Sequence, residues 1–225
     1  MSDGSALTLM AWLSPAYPVG AYAYSHGLEW AVEAGDIKDR ASLVDWVAGI
    51  LVHGSGHNDA VLFVNALHDA QAGGGRLPVL AELAVALAAS RERRLESLQQ
   101  GAAFLAATRA AWPHPDIERF AEAVGGNTPY CIVFAAAAAA HDIPLRPTLE
   151  SFVSAFASNL VSACVRLNVI GQTDGQKAIA ELTTVARAVA DRAEQSSLDE
   201  LGGSAFRADI AAMRHETQNS RLFRS

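Results

Sequence analysis

Apolar residues recur along this chain at three- and four-residue steps and almost nowhere alternate. The clearest run covers about residues 149–170. Phe152, Phe156, Leu160, Ala163 and Leu167 form one apolar stripe there. Ser154, Ser158 and Ser162, continued by Arg166, form a second stripe whose small side chains let a neighbouring helix come close. Leu43, Trp46, Val47, Ile50 and Leu51 repeat with the same period behind Asp39 or Ser42 as the N-cap, and Asp45 completes a capping-box pattern with Ser42.

Further helices are predicted over about 8–13, 22–34, 58–69, 78–87, 117–124, 130–141, 178–193 and 198–216. A long charged one runs from Ser90 through RERRLESLQQ to Phe104 and Leu105. Gly54 and Gly56, QAGGG, AWPHPD, the turn GGNTP, Pro144 with Pro147, and GQTDGQ punctuate them. No β-branched alternating run of useful length is present. The pattern therefore predicts an all-α fold: residues 1–225 form an irregular single-domain bundle of about ten helices, long ones alternating with short ones.

Composition narrows the classes. Hydrophobic residues make up 51% and charged residues 18%, much of the former being alanine, a strong helix former that contributes little area. The apolar stretch 130–140 is too short to span a bilayer, and no basic segment followed by a long apolar one opens the chain. Cys131 and Cys164 lack zinc or disulfide spacing, so a reducing cytoplasmic location is expected. A formal charge of −7 argues against a nucleic-acid surface, although Arg214, Arg221 and Arg224 make the C-terminal end locally basic.

The segment 14–35, SPAYPVGAYAYSHGLEWAVEAG, concentrates conformation-setting residues. Pro15 and Pro18 fix φ, Gly20 frees it, and Tyr17, Tyr22 and Tyr24 crowd the corner, as either a core anchor or a shaped surface. His26 and Glu29 are expected on one helix face with Ser25, as a polar network or a partner-facing patch. Ser25 has no nucleophile-elbow context that would make the trio catalytic.

His53 and His57 stand four apart, within reach of one metal with help from Asp59 if a single helix carried both, but Gly54 and Gly56 interrupt such a helix, so a cap or a surface role is expected ahead of a metal ligand. No P-loop, GxGxxG or Glu-x-x-His occurs, which removes nucleotide hydrolysis and di-iron chemistry. Cys164 reads as a small buried hydrophobe. In GQTDGQ, Thr173 or Asp174 is expected to cap the following helix, and Gln172 and Gln176 add amides, in a structural turn or a recognition loop. The tail MRHETQNSRLFRS is expected to be flexible over 217–225 and to add little to its own core. Leu222 and Phe223 between Arg221 and Arg224 suit an interface anchor.

Four blocks in order, LSPAYPVGAYAYSHGLEWAVEAG, FASNLVSACVRL, GQTDGQ and MRHETQNSRLFRS, resemble the urease accessory protein F (UreF) family over nearly the whole chain. The resemblance implies an all-helical protein without catalytic residues, cofactor or metal ligands of its own. It implies a cytoplasmic scaffold that dimerises, binds the urease accessory proteins D (called H in some organisms) and G, and brings the complex to apo-urease for nickel insertion, the G protein being the nickel-carrying GTPase. A GTPase-activating role toward that partner is the alternative.

Residues resembling the family's partner-binding signatures are Pro18, Gly20, Tyr22, Ser25, His26 and Glu29 at the N-terminal end. In the central region they are Arg166, Gln172, Asp174 and Gln176. At the tail they are Arg214, His215, Glu216, Arg221, Leu222, Phe223 and Arg224.

Overall fold

The computed structural model describes residues 3–126 and 128–225. Asn127, within the expected GGNTP turn, lies outside them. The described residues form eleven α-helices and two one-turn 3-10 helices, and no strand. The α-helices are α1 (Asp3–Trp12), α2 (Leu28–Glu33), α3 (Arg40–His53), α4 (Ser55–Gln71), α5 (Leu77–Ala86), α6 (Arg91–Ala111), α7 (Pro115–Val124), α8 (Tyr130–Ala140), α9 (Leu145–Arg166), α10 (Gln172–Gln195) and α11 (Phe206–His215).

Helices α4 and α8 form the centre. Cys131 through Ala138 are all buried, as befits a helix apolar on every side, and α8 packs against α4, α6 and α9. Aromatic rings knit the layers together. Trp12 meets Phe104 and Phe134 edge-on, at centroid separations of 5.4 and 5.6 Å, and Phe63 and Phe134 both contact Phe152. Cys164 is free and buried. The α9 helix is long and apolar enough to cross a membrane, yet half of that stretch is buried inside the fold.

Several expected boundaries move for local reasons. The helix predicted over 22–34 is two pieces, a 3-10 turn at Ala21–Ala23 and α2, because His26 and Gly27 take φ of 60° and 73°. Asp39, not Ser42, is the N-cap of α3, and Ser42 is its capping-box partner. Helix α9 starts earlier than predicted because Pro147 sits in its first turn, where no intrahelical acceptor is needed. It ends earlier because Asn168 has φ 60°.

GQTDGQ is not a loop. After Gly171 it is the first turn of α10, with no side-chain cap, and Asp174 pairs with Lys177 at 3.0 Å. Gly175 fits there because a Cβ would lie 3.0 Å from Val165 and 3.5 Å from Val161 of α9. The helix predicted over 198–216 is interrupted. A 3-10 turn at Leu198–Glu200 leads to extended chain, where Ser204 N–H bonds the His53 carbonyl and Gly202 N–H bonds Asn58 Oδ1.

Candidate functional site

In the structure the tail lies folded back onto the body, and the contacts that hold it are electrostatic. At Gly27 the backbone of α11 comes so close that a Cβ would lie 2.4 Å from the Ala212 nitrogen. This contact sets α11 across the start of α2, and Glu29, 8% exposed, faces the seam between them. The Glu29 carboxylate accepts the backbone N–H of Leu222 at 2.7 Å and of Phe223 at 3.0 Å. The same carboxylate lies 3.3 Å from His215 Nε2.

The other side of the seam is α6. Glu92 Oε2 lies 2.7 Å from His215 Nδ1, and Glu92 Oε1 accepts from Arg221 at 2.7 Å. Ser225 Oγ donates to Glu96 at 2.7 Å. The Ser225 carbonyl oxygen accepts from the Ser25 N–H at 2.7 Å and from the Ser25 hydroxyl. Arg224 N–H bonds the Ala23 carbonyl at 2.8 Å. Phe223 is buried, with the Arg166 guanidinium 4.5 Å from its ring centroid. Glu216 accepts the Arg91 N–H at 2.7 Å and so covers the positive end of α6.

A deeper polar layer adjoins this one. Arg93 donates to His26 Nδ1 at 2.9 Å and pairs with Glu96. Burial and the Arg93 charge press the His26 imidazole down to about 4, against the pull of Glu96. Burial alone would raise Glu96, but Arg93, His26 and the Ser225 hydroxyl together hold it at about 2. Burial raises Asp59 to about 6, against the opposing Arg93 charge.

This arrangement binds segments together. Ser25 Oγ donates to a carbonyl oxygen, while His26 Nδ1 is taken by Arg93. His53 ends α3 and is exposed, whereas His57 lies buried in α4. Among the described residues no three His, Cys, Asp or Glu side chains are grouped to hold a metal.

Of the residues singled out in the sequence, Ser25, His26, Glu29, His215, Glu216, Arg221, Phe223 and Arg224 converge here, with Arg166 over the Phe223 ring. His26 stands before α2, not on a helix face shared with Glu29. Pro18 lies apart in the corner loop. Gly20 and Tyr22 line a cavity of about 420 Å³ beside Phe152 and Phe156. Tyr22 is 70% exposed, and its carbonyl accepts from Arg166. Gln172, Asp174 and Gln176 form a separate patch at the start of α10, and Arg214 and Leu222 face outward.

Sequence reasoning missed Glu92, Arg93 and Glu96, reading them only as part of the charged face of a long helix. The signal was present: Glu92, Glu96 and Gln100 continue at four-residue steps the stripe that holds Phe104 and Thr108, and all five are buried.

The family model for UreF matches residues 37–183. Curated relatives carry the similarity to both ends, beyond that match. A "Urease accessory protein UreF" of Xanthobacter autotrophicus is 52% identical over 224 residues, covering 98% of this chain and 91% of the relative. One of Methylobacterium sp. is 50% identical over 221 residues, covering 98% and 88%. One of Mesorhizobium japonicum is 50% identical over 219 residues, covering 97% and 96%.

Proposed function

The chain belongs to the UreF family of urease accessory proteins, and on that premise we propose that it is a non-catalytic scaffold for nickel insertion into apo-urease. In this reading it binds the accessory protein D (or H) through the face built from α11 and the docked tail. It dimerises in the cytoplasm and holds the nickel-carrying GTPase G within the assembly.

One observation carries the reading. Phe206, Ile210 and Met213, 66, 54 and 51% exposed, follow one another along α11, and Leu222 is 57% exposed on the neighbouring tail. Apolar side chains in a row beside a rigidly held segment favour a macromolecular partner. The corner at Pro18, Gly20 and Tyr22 and the start of α10 at Gln172, Asp174 and Gln176 are offered as the further contact regions. The GTPase-activating alternative draws less support, because Arg93 and Arg221 are already paired with Glu96 and Glu92.

Co-purification of the full chain with proteins D/H and G tests the proposal. A ternary complex with wild-type chain, weakened by Phe206→Ser or Met213→Ser without loss of helicity, is the expected result. Undiminished recovery of D/H with both variants would overturn the α11 assignment.

A further inference from the structure

Part of the small-residue stripe on α9 faces open space. Ser158 and Ser162, with Ala155 beside them, line the cavity of about 420 Å³ under the corner formed by residues 14–22. Pro15 and Tyr22 on the same lining are exposed, whereas Trp12, Tyr17 and Phe152 are buried, so the cavity runs inward from the surface. The rings of Tyr130 and Phe156 also line it, with Tyr130 and Phe152 5.5 Å apart between centroids.

Polar side chains share this wall, and most of them are satisfied. Glu96 accepts from Gln100, Ser225 and Arg93, and Arg93 also donates to His26. Asp59 is the exception. Among the described residues its carboxylate meets only the weakly donating Cys131 thiol and the longer-range charge of Arg93. Burial raises its carboxyl to about 6, so these neighbours do not make up for the lost water. His26 is 5% exposed on the same cavity, and its Nε2 has no hydrogen-bond partner.

Arg93 balances Glu96, and His26 is neutral at neutral pH, which leaves one negative charge on the wall without a counter-ion. A bare metal ion would need several ligands, and among the described residues no three His, Cys, Asp or Glu side chains are grouped to supply them. Aromatic walls favour a cation that carries its own apolar groups.

We propose that this cavity binds a small organic ammonium compound, with its charged end paired to Asp59 and its apolar part against the rings of Tyr130, Phe152 and Phe156. No α11 residue lines the cavity, so the site stands independently of the scaffold reading.

Calorimetry on the full chain tests this at about pH 7.5, where ordinary amines are protonated and Asp59 is ionised. One probe pair is choline and dimethylbutanol, its neutral carbon isostere; the other is benzylamine and benzyl alcohol. At least one cation should bind saturably and at least about tenfold more tightly than its neutral counterpart, the ratio expected of one charge-assisted contact. Asp59→Asn should erase that ratio and leave the affinity of the neutral compound unchanged. Ala155→Trp, which fills the cavity from α9, should abolish binding of both. In amide NMR of the wild-type chain, the cation should shift Tyr22, Tyr130 and Phe156 and leave Ile210 and Met213 unmoved. Three results would each overturn the site: neither cation preferred to its isostere, a preference that survives Asp59→Asn, or shifts confined to another surface. The first and third need only the wild-type protein, so a variant that fails to fold does not shield the idea.

Discussion

Glu29 Oε2 accepts the backbone N–H of Phe223 at 3.0 Å, across a sequence separation of 194 residues. The contact reads main chain, so the position of Phe223 depends on the carboxylate rather than on the identity of the tail side chains. Removing the carboxylate strands two N–H groups and one contact of the His215 ring at once. Glu29→Ala should cost about 3 kcal/mol in urea unfolding, the upper range for leaving buried donors without their acceptor. Protease should then cut the tail first. Glu29→Gln, which keeps one acceptor oxygen, should lose less.

Phe223 and Leu222 should separate folding from binding. Phe223 is 4% exposed and Leu222 is 57% exposed. Phe223→Ala should destabilise the isolated chain by about 3 kcal/mol, at the low end for a buried phenyl ring because the tail can detach locally. Leu222→Ala should leave its melting within about 0.5 kcal/mol of wild type and, on the proposed function, weaken capture of protein D/H. Equal effects of the two on melting would contradict this division. Deleting 221–225 should likewise lower stability, in contrast to the expectation from sequence, because Glu29, Glu92 and Glu96 all lose partners.

Gly27 and Gly20 both have positive φ, 73° and 72°, but only Gly27 is hemmed in. Gly20→Ala should cost about 1–2 kcal/mol from the left-handed backbone alone. Gly27→Ala adds a collision with the Ala212 backbone and should cost well beyond that, separating α2 from α11. Circular dichroism melts of the two variants make the comparison.

Acid sensitivity follows from three groups of opposite sign. The folded pKa of His26 is depressed from 6.5 to about 4, so its neutral form favours folding above 6.5 and that stability is lost as pH falls toward 4. Asp59 is raised from 3.8 to about 6, so folding is penalised above 6 and the penalty is relieved over nearly the same acid range. Glu96, depressed from 4.5 to about 2, loses its contribution only below 4.5. Wild-type stability should therefore change little between about pH 6.5 and 4.5 and fall steeply below. Asp59→Asn should raise stability at pH 7 by about 1–3 kcal/mol and expose the His26 decline above pH 4.5. Urea titrations at pH 7, 5.5 and 4 check this, and a flat profile in the variant would refute the compensation.

The eleven helices were largely legible in advance, since a period of 3.6 needs only neighbours three and four residues away. The same local logic marked Leu160, Ala163 and Cys164 as interior and the 14–35 corner and the tail as unusual. Breaks at His26 and Asn168 were not read in advance: histidine and asparagine take a left-handed backbone more often than other side chains, but most of them do not, so residue type alone does not mark the break.

The direction of the polar side chains was decided only in three dimensions. Glu92 and Glu96 look like solvent-facing residues until His215, Arg221 and Ser225 arrive from more than a hundred residues away. A carboxylate is tolerated in the interior only when donors meet it, and those donors have no fixed sequence distance. Composition and periodicity determined that this chain is a helical bundle. Which ionised groups that bundle buries, and that its tail is held by them, came from the packing of α2, α6 and α11 around one imidazole.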